Sequence, residues 1–97
     1  MSGPNEKTDD EFYDRADEHI HLSNDQIKGE IGSGKVSASM MYATARFNAW
    51  VSACGFEEGK DLKQEKDEIL DYFLTEYRKM LEDNLDDYIN NFNNYMK

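Results

Sequence analysis

Apolar residues recur at helical spacing over three stretches of this chain, and the middle stretch differs in kind from the other two. From Val36 to Cys54 it reads VSASMMYATARFNAWVSAC, with Arg46 as its one charged residue. At about 100° per residue, Val36, Met40, Ala43, Phe47, Trp50, Val51 and Cys54 fall on one bulky face. Ala38, Ala45, Ala49 and Ala53 make a smooth face nearly opposite. A helix that is apolar on more than one face predicts burial on more than one side. That pattern describes a scaffold and names no reaction.

The flanking stretches are amphipathic. Met1 to about Thr8 carries Gly3 and the single proline, Pro4, with no apolar pattern, so residues 1–8 are expected to form a disordered tail. From Asp9 or Asp10, which can cap free amides and oppose the helix dipole, Phe12, Ala16, Ile20, Ser23 and Ile27 mark helix one by a narrow stripe. Gly29, Gly32 and Gly34 then break the pattern and predict a turn, with helices one and two packed as an antiparallel hairpin. After Gly55 an acidic loop, FEEGKD, leads into helix three, which is expected from near Asp61 to about Tyr95. No stretch reads as a strand, and residues 9–97 read as one helical domain.

Helix three has an apolar surface too wide and too long for a simple three-helix bundle. Ile69, Phe73 and Met80 form one edge. Leu70, Leu74, Tyr77, Leu81, Asn84, Tyr88, Asn91 and Tyr95 follow the alternating four-and-three spacing of a coiled-coil seam. Unbroken, the helix would be about 50 Å long, against about 30 Å for helix two. The overhang carries Leu81, Leu85, Tyr88, Ile89, Phe92 and Tyr95, which need apolar contact, and the same helix of a second copy is the simplest source. A break near Glu82 to Asp87, EDNLDD, is the competing expectation, because Asp and Asn favour caps over helix interiors; the remainder would then fold back on its own chain. Asn84 and Asn91 on the seam would either fix register between chains or face water.

Charge narrows the partners. The formal net charge of −10 divides into −5 over Met1–Lys35, +1 over Val36–Gly55 and −6 over Phe56–Lys97. Such a field repels phosphate backbones and anionic lipid, which argues against nucleic acid and membrane surfaces and leaves a basic protein, or a second copy, as partner. The start of the chain, MSGPNEKTDDEF, has no apolar leader run, and no run approaches the roughly 20 apolar residues of a spanning helix, so a cytoplasmic location is expected. The single cysteine, Cys54, excludes an intrachain disulfide and reads as a small buried hydrophobe on the bulky face.

Three groupings invite chemistry, and each has a plainer explanation. The run GEIGSGKV, Gly29 to Val36, nearly spells a phosphate-cradling loop, but Val36 stands where a hydroxyl must bind magnesium and no strand precedes it. Glu18 and His21, flanked by Asp14 and Asp25, put four potential metal ligands on the outward face of helix one; a dinuclear carboxylate site needs a second such motif, and a solvated acidic face accounts for the pattern. His19 and His21 lie on one helix, and Cys54 has no recognisable activator, so no nucleophilic triad can be assembled from sequence. Ser37, Thr44, Asn48 and Ser52 form a polar stripe that suits close helix approach better than a pocket. Tyr42, Arg46 and Trp50 are spaced to let the guanidinium lie between two rings, and Arg46 is expected to pair with an acid of helix one or three.

The run GKVSASMMYATARFNAWV, Gly34 to Val51, together with FYDRADEHIHLSN, Phe12 to Asn24, resembles a small bacterial protein family, domain of unknown function number 3144. The stretch RFNAW after the glycine turn carries most of that likeness. The resemblance implies a short, soluble, mostly helical bacterial protein and supplies no catalytic residue or cofactor.

The expectation is therefore an all-α three-helix bundle with a long C-terminal helix, self-associating through that helix and acting by protein–protein interaction. No cofactor is called for. Arg46, Trp50, Tyr77, Leu81, Tyr88 and Phe92 are the expected structural and interface residues. A small-molecule or metal-binding enzyme with a site between helices, and an acidic decoy for nucleic-acid-binding proteins, are the rival expectations.

Overall fold

The computed structural model describes residues 9–97, so the tail expected at 1–8 lies outside the described residues. The described chain is helical, with no strand and one isolated antiparallel bridge between Lys28 and Ile31. Five helices follow in order: α1 Phe12–Gln26, α2 Ser33–Ala53, α3 Gly59–Gln64, α4 Lys66–Asn90 and α5 Phe92–Met96. They fall into two compact units that part after Gly55.

In the first unit, Asp9 starts α1 from just outside it. Its carboxylate accepts the Glu11 amide at 3.1 Å and both Arg15 guanidinium nitrogens at 3.1 and 2.8 Å, while its carbonyl accepts the Phe12 amide at 3.0 Å. The free amides of the first turn thus find an acceptor without a side-chain cap at Glu11 itself. Hydrogen bonding from Arg15 holds the Asp9 carboxyl below the usual carboxylate range, and the same pair raises Arg15. Gly29, at φ +60°, makes the turn in a backbone region that costs a side-chain-bearing residue energy. The helices then meet near this turn, where the Ser23 hydroxyl donates to the Met40 sulfur at 3.3 Å.

Val36, 4% exposed, is the one buried residue among those described. The half-buried positions of α1 are Ala16 and Ser23, both on its predicted stripe. The expectation that α2 is buried on several sides is corrected: Val36 is covered near the glycine turn and Asn48, Ser52 and Ala53 are half-buried, while Phe47 is 62% and Trp50 61% exposed. Cys54 is exposed as well, next to the half-buried Ala53.

In the second unit the single long helix three is replaced by three helices. Glu65 (φ −95°, ψ 1°) separates α3 from α4, and Asn91 (φ −121°, ψ 28°) separates α4 from α5. Asn91 turns its amide back onto the carbonyl and carboxylate of Asp87, at 3.1 and 2.9 Å, which is the local competition that makes asparagine a helix breaker. The Tyr95 hydroxyl donates to the other Asp87 oxygen at 3.0 Å, a bond that pushes the phenol up, and its ring packs on Tyr88 at 4.8 Å.

The break expected at Glu82–Asp87 does not occur. α4 runs through it, with Arg78–Glu82 at 3.1 Å and Lys79–Glu76 at 2.9 Å bridging successive turns and Asn84 donating back to the Met80 carbonyl at 2.7 Å. The two asparagines therefore spend their amides on their own helix, Asn84 within it and Asn91 at its end. At 1.5 Å per residue α4 is about 37 Å long and α2 about 31 Å.

Candidate functional site

Two apolar surfaces, one in each unit, are the features of this chain that call for a function. On α4 the predicted edge of Ile69, Phe73 and Met80 is covered only in part, Met80 being 52% exposed. Ile69 and Phe73 are half-buried, whereas Leu70, Leu74, Tyr77, Leu81, Leu85 and Tyr88 are all exposed and occupy one face. Leu74, at 65%, is the most open of the six. This seam spans about 27 Å from Leu70 to Tyr88. Ile89 and Phe92, exposed too, extend it past the Asn91 break.

α4 is acidic overall. α4 carries eight acidic and three basic residues, and two of the three bases are already engaged by Glu82 and Glu76. The side chains of Asp71, Asp83 and Asp86 enter no ion pair among the described residues. The surface is thus a strip of leucine and tyrosine on a helix of net acidic charge.

On α2, Phe47 and Trp50 stack at 5.6 Å with a 37° tilt and stand open together. The expected sandwich of Arg46 between Tyr42 and Trp50 gives way to this Phe47–Trp50 pair. The expected ion pair of Arg46 is also not made among the described residues. Trp50 and Arg46, four apart, sit along one edge of the bulky face. Their roles had been read from type and spacing; the exposure of Phe47 was missed, because apolar type alone does not say which side of α2 its own chain reaches.

The remaining sequence candidates gather little chemistry. Asp14, Glu18, His21 and Asp25 are exposed along α1, and the described residues contain no group of three or more His, Cys, Asp or Glu side chains placed to hold a metal ion. The glycine turn borders an open hollow of about 370 Å³ lined by Gln26, Lys28, Ile31, Lys35, Val36 and Ser39. Lys35 lies in the first turn of α2, after an extended Gly32 and a preceding helix instead of a strand, so the loop lacks the wrap of a phosphate cradle. Among the described residues no helix is long and apolar enough to cross a membrane.

The chain is all-helical among the described residues, and comparison with known proteins agrees with that fold. Residues 12–89 match the family described as protein of unknown function DUF3144, and the chain belongs to that family. Its fold is similar to the NMR structure of the protein NB7890A from Shewanella sp, with a TM-score of 0.76 and 44% sequence identity over 90% of this chain and 92% of that one. No curated protein matches the chain.

Proposed function

We propose that the protein acts by association, as a small helical homo-oligomer whose chains cover one another's apolar faces, with the α4 seam as the principal contact. The observation that carries this reading is the seam: six large apolar side chains in helical register, each exposed in the single chain. Leaving about half of each open to water would expose on the order of 600 Å² of apolar surface, at the upper limit of the largest patch usual on a monomer. Tyr77, Leu81, Tyr88 and Phe92 are its central and distal contacts. The net acidic charge of α4 also suits a basic protein as a second kind of partner, in or beyond the oligomer. A bacterial source, as for the relative from Shewanella sp, and a cytoplasmic setting, to which a single free thiol is suited, belong to the same reading.

Hydrogen exchange along α4 tests it. An amphipathic helix whose seam faces water is marginal by itself and opens readily, whereas association adds stability that grows with concentration. Protection of the amides from Leu70 to Tyr88 is expected to rise as the protein is concentrated. Protection that stays high at dilutions where the mass is that of a single chain would mean that the chain completes its own core, and would end the proposal.

A further inference from the structure

When two copies meet through α4, the second helix can run with the first or against it, and the charges along the helix distinguish the two. Wound at about 100° per residue, the seam is bordered on one side by Lys66, Phe73, Met80 and Asp87 and on the other by Asp71 and Arg78. Neither border is of one sign. The signs divide instead along the axis: residues 66–79 hold all three bases of α4 with four acids, whereas residues 80–90 hold four acids and no base. Two parallel copies would set these base-free ends side by side, where like charges oppose closure. We propose that the α4 seams of two copies pair antiparallel, about a two-fold axis at the level between Thr75 and Glu76. This rests on the self-association proposed above and gives it a direction and a register.

Such a two-fold brings the same border of each copy together and makes every contact twice. Leu70 then lies level with Leu81 of the second copy, and Leu74 with Tyr77 of the second copy, so that the exposed centre of the seam is covered. Along the axis, Lys66 comes within about 3 Å of the level of Asp87 of the second copy, and Asp71 within about 3 Å of the level of Arg78 of the second copy. Phe73 and Met80 meet in the same way. Sliding one helix by a heptad, to set Leu70 opposite Tyr88, would instead place the two Arg78 side chains together and leave Lys66 without an acid. Parallel chains in register would keep one kind of opposite-charge pair, Lys66 with Asp71. The charges are free to pair: Lys66 and Asp71 enter no ion pair among the described residues, and the Asp87 carboxylate accepts from the uncharged Asn91 and Tyr95. The Arg78–Glu82 pair, 81% and 61% exposed, costs little to open. Tyr95 already leans on Tyr88, at the end of the seam that this register leaves at the rim.

Disulfide trapping and charge reversal test the register. In a Cys54→Ser background, which removes the single native thiol, chains carrying Leu70→Cys are mixed with chains carrying Leu81→Cys and mildly oxidised. The link between the two kinds of chain is expected as the main product, because like positions stand about 16 Å apart along the axis. In the native background, Arg78→Asp is expected to weaken association about tenfold, measured by sedimentation. Asp71→Arg combined with Arg78→Asp is expected to recover it, since each reversed charge meets a reversed partner. Links mainly between chains of the same kind would overturn the antiparallel register and leave self-association intact. A double variant no tighter than Arg78→Asp alone would do the same. Native protein of single-chain mass at every concentration would overturn both this pairing and the self-association beneath it.

Discussion

Replacing Leu81 by Asp is the perturbation whose size can be worked most directly. Leu81 is 43% exposed in the single chain, at the middle of the seam. Covering it on association removes about 80 Å² of apolar surface, or about 2 kcal/mol per copy at ~25 cal/mol per Å². A symmetric dimer loses this twice, about 4 kcal/mol, which is about a thousandfold in the dissociation constant. Desolvating the new carboxylate beside acids already present makes the loss larger. Within one chain the cost is only the weaker helix propensity of Asp, about 0.7 kcal/mol, since the position is open there. Sedimentation of the variant at concentrations where the native protein is associated should therefore give the single-chain mass, with the helical circular dichroism of the first unit retained. A variant that keeps the native mass would refute the placement of the interface.

Three further outcomes follow from local structure. Gly29→Ala, at φ +60° with nothing near the added methyl, should lower stability by about 1 kcal/mol in thermal unfolding from backbone strain alone, whereas Gly32→Ala, equally unobstructed and without a positive φ, should be nearly silent. Asn91→Ala should extend α4 towards α5 and deepen the helical signal, gaining about 0.6 kcal/mol of local propensity; an unchanged signal would deny that the asparagine makes the break. Because the Asp9 carboxyl is held down by Arg15, its contribution is complete above the ordinary carboxylate range and disappears as pH falls through the lowered value. The difference in thermal stability between native protein and Asp9→Asn should accordingly be present at neutral pH and vanish in acid.

What the sequence disclosed, and what it did not, divides along a physical line. Local rules served well where the competing interactions are themselves local. The stripe of helix one, the turn at Gly29 and the two edges of α4 all followed from periodicity and backbone preference. The same rules erred on where the long helix stops. The segment EDNLDD was the competing place for a break on propensity, but Arg78 pairs with Glu82 and Asn84 bonds the Met80 carbonyl of its own helix, while Asn91 ends α4 four residues past the segment through Asp87.

Burial was the least legible property. Val36 and Phe47 lie on the same face of α2, and only the reach of the neighbouring helix distinguishes them, one buried and the other open. Cys54 was misjudged for that reason, since composition predicts that a thiol on an apolar face will be covered without saying by which chain. The exposed apolar residues of α4 were legible because an excess of apolar surface over what 97 residues can enclose is a global count that needs no coordinates.

The mass of the native protein in solution, followed by sedimentation equilibrium through a wide dilution series, tests the central claim most directly. Self-association through the apolar faces predicts at least twice the chain mass at working concentrations, falling towards the single-chain mass only on strong dilution. A single-chain mass throughout would contradict it.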